Sequence, residues 1–208
     1  MVILGISAFF HDSAACIVRD GRIEVAIQEE RLSRKKNDPS FPWRAILACL
    51  EQAKLQPLDI DIVVFFEKPI LKFDRILETQ IAFAPKGFKQ FKAALPTWLT
   101  EKLYQKATIA KHLTKKIDPL VKWKEKLRFS SHHLSHAASA YYPSPFSSSA
   151  IITTDGVGEW ATTTVGVGKQ ENIELLQQIN FPHSLGLLYS AFTHYLGFKV
   201  NSGEYKVM

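Results

Sequence analysis

The dipeptide Asp20-Gly21 lies between two short apolar runs, Ala14 to Val18 and Arg22 to Ile27, and leaves the chain little choice there. A two-residue Asp-Gly link between such segments favours a primed turn, in which both linking residues take positive φ. The chain must therefore double back as an antiparallel hairpin. Met1 to Ala8 reads as a strand ahead of it, joined through the short connection Phe9-Phe10-His11-Asp12-Ser13.

A polar stretch from Glu29 to Asp38 follows, and Ser40-Phe41-Pro42 then predicts a helix start with proline near the first turn. Ile46, Leu47, Leu50 and Ala53 form one apolar stripe that ends before Pro57. Ile60 to Phe66 is nearly all β-branched or aromatic, as in a strand covered on both faces. Strand, strand, strand, helix, strand places the chain in the α/β class.

From about residue 69 to 126 the character changes. Leu71, Ile76, Leu77, Ile81 and Phe83 predict a helix, broken around Pro85-Lys86-Gly87, and Thr97 to Ile117 a longer one carrying Trp98, Leu99, Leu103, Ile109 and Leu113. This reads as a helical insert, with the sheet resuming at Leu127 to Ser130. Ser131 to Tyr142 is then a helix, Ala150 to Thr154 a buried strand, Trp160 to Val167 and Ile173 to Ile179 further strands, and Leu185 to Leu196 a helix. The later part thus begins to repeat the layout of the opening. A first lobe over 1–147 and the start of a second over 148–208 follow.

Between Lys86 and Arg128 stand twelve Lys and Arg against Glu101, Asp118 and Glu125, so the net charge of +6 is concentrated in the insert. Such a patch can attract a phosphorylated ligand or RNA. Lysine dominates it and no RNA-binding motif accompanies it, so a solvated helical face is the simpler reading and no nucleic-acid role is expected. No run approaches the ~18 apolar residues of a membrane span. Cys16 and Cys49 both sit in apolar patterns, which suggests reduced thiols and a cytoplasmic protein.

The chemistry concentrates in Ser131 to Glu159. On a helix, His132 and His136 share a face with Cβ atoms about 5–6 Å apart. Asp155 closes an apolar run and precedes a glycine loop, where α/β proteins place ligands. Two imidazoles and one carboxylate make three ligands for a divalent transition metal. His133 falls on another face. The inner residues of the motif are His, Leu and Ser, so the glutamate of a HExxH hydrolase is missing and peptide hydrolysis is disfavoured. Gly156 and Gly158 would let backbone N–H groups approach phosphate oxygens, or simply make a turn. The loop with His11 and Asp12 could supply a base that takes a proton from a hydroxyl, or be a turn only.

GISAFFHDSAACIVRDGRI, EERLSRKKNDPSFP, HHLSHAASAYYPSPF, TTDGVGEW, SLGLLYSAFTHYLGF and NSGEYKVM, taken in order, resemble the NodU/CmcH-type carbamoyltransferase family. The resemblance implies an actin-like ATPase fold, shared with sugar kinases, with nucleotide between two α/β lobes. It also implies a reaction. Carbamoyl phosphate and ATP give carbamoyl-adenylate, usually on a YrdC-like domain, and the carbamoyl group passes to a hydroxyl of a sugar or natural product. On that likeness His132, His136 and Asp155 would hold iron or a similar ion, Gly156, Gly158 and Glu159 would contact the adenylate, and His11 or Asp12 would be catalytic. The family continues well past Met208, so the expectation is a truncated chain without the YrdC-like domain, its lobe junction exposed to a partner or to a second copy. A non-catalytic actin-like lobe and a sugar-kinase-like ATPase are the alternatives.

Overall fold

The computed structural model describes residues 1–97, 104–201 and 203–208. Packing divides them into two compact units, Met1–Phe73 with Gln80–Ser130, and Ser131–Met208 with Asp74–Thr79.

The first unit is built on strands β1 (Val2–Ser7), β2 (Ala14–Arg19), β3 (Arg22–Gln28), β4 (Ile62–Phe65) and β5 (Leu127–Phe129). Asp20 and Gly21 both take positive φ, 49° and 80°, so the hairpin between β2 and β3 turns as its sequence requires. The sheet runs β3-β2-β1-β4-β5, with β1 antiparallel to β2 and parallel to β4. An antiparallel meander extended by parallel strands through helical crossovers makes this unit α/β, as the sequence predicts. Alternation along the strands sends Leu4, Ile6, Ala15, Ile17, Val63 and Phe65 to one core. Each fully buried aliphatic or aromatic side chain there contributes about 1.5–3 kcal/mol.

Helix α1 (Glu29–Ser33) follows β3, and helix α2 (Trp43–Gln52) brings Ala45, Ile46, Cys49 and Leu50 to that core. The predicted stripe is therefore shifted by one position at Leu47, which is exposed while Cys49 is buried. Helices α3 (Pro69–Phe83), α4 (Phe88–Thr97), α5 (Gln105–Lys116) and α6 (Trp123–Lys126) fill the connection between β4 and β5. Ile109 and Leu113 of α5 are fully buried, as their spacing predicts. Trp98, Leu99 and Leu103 of the predicted longer helix lie outside the described residues. The helices α1, α4 and α6 were not legible: the first and last are one turn or so long, and α4 follows a glycine that reads as a breaker.

In the second unit, β6 (Ser148–Thr154), β7 (Ala161–Lys169) and β8 (Asn172–Asn180) form an antiparallel meander. Helix α7 (His132–Tyr141) packs on it through Ala137 and Tyr141, with Ile151, Ile173 and Leu175 opposite. The histidine helix thus groups with the sheet that follows it, in the compact unit that begins again at Ser131. Only one face of β6 is covered: Ile151 is buried and Ile152 is 71% exposed, a correction to the expectation of a buried strand. Helix α8 (Leu185–Tyr195) ends the described regular α-structure. Among the described residues no helix is long and apolar enough to cross a membrane.

Candidate metal centre

Helix α7 starts at His132, and its first amide is held by Glu159, whose two carboxylate oxygens each accept the His132 N–H at 3.0 Å. A carboxylate at a helix N-terminus satisfies orphan donors and complements the dipole. Glu159 is buried, and both of its oxygens face this amide. This contact gives Glu159 a positioning role for the helix that carries His132 and His136.

One helical turn separates His132 from His136, and their Nε2 atoms converge to 3.0 Å. Asp155, just past the end of β6, places Oδ2 2.7 Å from His132 Nε2 and 3.9 Å from His136 Nε2. The residues predicted from the sequence as a ligand set are thus brought together, and they are the cluster found among the described residues with metal-ligand geometry. A triangle with sides of 2.7, 3.0 and 3.9 Å has a circumradius (product of the sides over four times the area) of about 2.0 Å. A single point therefore lies at the bond length of a divalent ion to imidazole nitrogen and carboxylate oxygen, about 2.0–2.2 Å. Protons alone serve the group poorly, since one Nε2–H on His132 cannot satisfy both the carboxylate and the second imidazole. The donor set fits an ion.

Electrostatics point the same way. The His132 imidazole, hydrogen-bonded to Asp155, holds that carboxyl well below the usual carboxylate range, against the opposing effect of burial. Burial, then the neighbouring His132, pulls His136 below its ordinary value. An ionised carboxylate and a neutral imidazole are the forms that bind a metal. His136 stays 49% exposed, which leaves the outer side of the triangle open to a substrate.

The residues around the triangle fix it. His133 points the other way, with Nε2–H donating to the Ala161 carbonyl at 2.8 Å and Nδ1 accepting from Thr153 Oγ1 at 2.6 Å. Thr153 in turn is 2.7 Å from Thr164 Oγ1, a buried chain that ties α7 to β6 and β7. Asp155 Oδ1 accepts the Gly156 N–H at 2.6 Å, and the Gly158 N–H donates to Ala161 O at 2.9 Å. Both glycine N–H groups thus have acceptors inside the loop, and Gly158 also meets a steric demand. A Cβ on Gly158 would meet His133 Cδ2 at 3.0 Å and His132 Cδ2 at 3.1 Å, so glycine is what lets the loop lie on the ligand helix.

Three supporting residues went unread in the sequence. Arg75 of α3, buried, donates to the Gly158 carbonyl at 2.7 Å, and no local pattern marks it. Ser184 caps α8, accepting from the Leu187 N–H at 3.0 Å and donating to Gly156 O at 2.7 Å. A serine directly before an apolar helical run was a visible signal for it. Gly186 brings that helix against the aspartate, since a Cβ there would lie 2.5 Å from Asp155 O.

The other predicted pair lies in the first unit. His11 Nδ1 is 2.7 Å from Asp12 Oδ2, both side chains exposed, on a loop where Phe9 and Asp12 take positive φ. The Phe9 N–H donates to Pro39 O at 2.9 Å and the Ser13 N–H to Asp38 O at 3.0 Å, which anchors both ends of the loop. His112 stacks on Phe41 with ring centroids 4.8 Å apart.

A protein-family model described as Carbamoyltransferase N-terminus matches residues 2–208. The uncharacterized protein sll1178 of Synechocystis sp. is 54% identical over 206 residues, which is 99% of this chain and 34% of that protein. Nodulation protein NolNO of Sinorhizobium fredii is 36% identical over 202 residues, 97% of this chain and 28% of that protein. Among solved structures, YeaZ from Pseudomonas aeruginosa aligns at a TM-score of 0.41 and 10% identity, covering 87% of this chain and 67% of that one. The chain spans about a third of the length of these curated relatives. With a match running along essentially its whole length, it belongs to the carbamoyltransferase N-terminal family.

Proposed function

We propose that this chain is the metal-holding part of an O-carbamoyltransferase, which passes a carbamoyl group from carbamoyl-adenylate, made from carbamoyl phosphate and ATP, to a hydroxyl of a sugar or other natural product. The observation that carries the reading is the convergence of His132, His136 and Asp155 on one point in a chain of this family. These three residues would hold the ion, with iron the first candidate. When bound, it supplies Lewis acidity that offsets charge on the adenylate phosphate.

The chain's own groups supply the rest. Glu159, Gly158 and Arg75 hold the ligand helix and its facing loop at fixed spacing, so that no reorganisation accompanies binding. His11 donates from Nδ1 to Asp12, which leaves Nε2 as the atom that accepts a proton from the acceptor hydroxyl. The hydroxyl oxygen then forms its bond to the carbamoyl carbon, the bond from that carbon to the adenylate oxygen breaks, and AMP leaves. Asp12 acts by orienting the ring.

The exposed face of α8, with Leu185, Leu188, Phe192 and Tyr195, supports a further expectation: the second unit works against more protein, whether a YrdC-like domain, a partner chain or a second copy. Metal analysis of purified protein, wild type against His136→Ala, tests the site. A kinase of this general fold needs magnesium brought by its nucleotide and no protein-held transition metal, so absence of stoichiometric metal after reconstitution with iron(II) would remove the transferase reading. AMP release from carbamoyl phosphate and ATP, assayed with and without the portion of a longer relative that this chain does not span, tests the reaction.

A further inference from the structure

Among the described residues, the helices that pack into the core of the first unit's sheet lie on one face. Leu4, Ile6, Ile17 and Val63 point toward α2, α5 and α6, whose apolar side chains complete that core. Alternation sends Ile3, Val18 and Ile62 to the opposite face, side by side across β1, β2 and β4. Two residues on, Gly5 pairs with Cys16 and Val64 and makes a second rung. All six residues are half-buried, and none belongs to the core. Ile23, which is exposed, extends the first rung onto β3. These positions carry no charge, and parallel strands such as β1 and β4 are ordinarily covered on both faces.

The second unit has a matching hairpin with that face covered. Six residues (8–13) separate Ser7 from its partner Ala14. Six (156–161) also separate Asp155 from Thr162, whose carbonyl accepts the Asp155 N–H at 2.8 Å. Counted back from these loops, Ile3 and Gly5 correspond to Ile151 and Thr153. Ile151 is buried against Ala137 and Tyr141 of α7, and Thr153 is bonded to His133 of the same helix. A Cβ on Gly168 would collide with the Tyr141 ring, so a glycine within the sheet lets that helix settle close. Gly5 serves the first unit in the same way: a Cβ there would fall 2.6 Å from Cys16 Sγ, which lies across it and keeps the second rung low.

We propose that this second face of the first unit's sheet seats an amphipathic helix, carried by the part of the family's longer proteins that this chain does not span. Two rungs over four strands measure roughly 19 by 14 Å, from ~4.8 Å between strands and ~6.8 Å between alternate residues. A helix rising ~1.5 Å per residue crosses that width in about 13 residues, or three to four turns. The patch, roughly 270 Å² in plan, is well below the ~800 Å² per partner that a stable interface between separate chains buries. A segment of the same polypeptide therefore suits it better than a second copy does. The chain spans 34% of the Synechocystis relative and 28% of NolNO, so proteins of this family have further chain from which to supply the helix. Neither the metal ligands nor the His11 pair takes part, so the proposal is independent of carbamoyl transfer.

Cys16 is a native probe of this face, and Cys49, buried in the core on the other, is its control. Alkylation by N-ethylmaleimide, followed by peptide mass spectrometry, compares this chain with a chimera in which it replaces the matching third of the Synechocystis relative. In the chain alone Cys16 should react and Cys49 should not, and in the chimera Cys16 should slow at least about tenfold. Val18→Lys should move the melting temperature of the chain by no more than about 2 °C and lower that of the chimera by about 5 °C or more. The proposal is overturned if Cys16 of the chain alone is as slow as Cys49, if its rate is the same in the chimera, or if Val18→Lys acts alike in both. Protection of Cys16 that grows with the concentration of the chain alone would make a second copy the occupant and overturn it too. The alkylation rates need no variant, so they decide the matter even should Val18→Lys not fold.

Discussion

Both oxygens of Glu159 lie 3.0 Å from the amide nitrogen of His132, so the loop after β6 holds the first turn of the helix that carries the imidazoles. Glu159→Ala removes that support and leaves the helix amide without its acceptor. We expect stability to fall by about 1–2 kcal/mol and affinity for a divalent ion to fall about tenfold, with Glu159→Gln in between. Calorimetric titration of cobalt(II) into the refolded proteins measures the second effect. Unchanged affinity in Glu159→Ala would show that the histidines keep their places without it.

Gly158 gives a sharper steric test. The Cβ introduced by Gly158→Ala would fall 3.0–3.2 Å from atoms of His132 and His133, tighter than ordinary van der Waals contact. His133 is pinned by hydrogen bonds at both ring nitrogens, so the strain must be taken up by His132 or by the loop. At Gly156 the nearest atom would be Leu187 Cδ2 at 3.8 Å, an ordinary contact. Metal affinity should therefore drop severalfold in Gly158→Ala and hardly change in Gly156→Ala. Equal behaviour of the two variants would contradict the steric account.

What the sequence disclosed follows the range of the interactions. Asp20-Gly21 fixes its hairpin through its own dihedral preferences, and His132 with His136 needs only a helical turn, so both were legible locally. Asp155 stood out because it ends a strand before glycines, and it does lie beside the two imidazoles. The partner of Arg75 is 83 residues away, so no local pattern could mark it. For Gly156 and Gly158 the sequence left phosphate donors and a plain turn both open, because it shows where an N–H can be exposed and not where it is already bonded. Glu29 to Asp38 looked like a polar loop because its buried carboxylates are matched by groups that are distant in the chain or spent in turns.

Glu29 is the strongest of those cases. It is fully buried, and its Oε2 accepts the Ala45 N–H at 2.8 Å, in the first turn of α2, while Oε1 is 3.2 Å from Arg44 Nη1. Pro42, at the N-cap position, has no side-chain oxygen to offer, so a carboxylate from α1 does the capping. Glu29→Ala should lower stability by about 2–3 kcal/mol, and Glu29→Gln by less, because an amide oxygen can still accept. Urea unfolding followed by tryptophan fluorescence measures both. A loss under about 0.5 kcal/mol in the alanine variant would mean that α2 does not depend on this contact.

Asp38 ties the stability of the first unit to acid pH through its lowered pKa. The Ser33 hydroxyl above all, then the Ser40 hydroxyl and the Ser40 N–H at 3.0 Å, lower its pKa to about 2. A carboxyl whose folded value lies below its unfolded value of about 3.9 binds its proton more readily once unfolded. Its stabilising contribution is therefore fully present above about pH 4 and is lost as the pH falls toward 2. Asp38→Asn removes the charge at every pH. The variant should be less stable than the wild type at pH 7, and the two melting temperatures should converge as the pH falls from about 5 toward 2. Because the Asp38 carbonyl also accepts the Ser13 N–H at 3.0 Å, next to His11 and Asp12, the same variant should loosen that loop and speed exchange of its amides. Parallel melting curves with a constant gap across this range would show that Asp38 is not the titrating group.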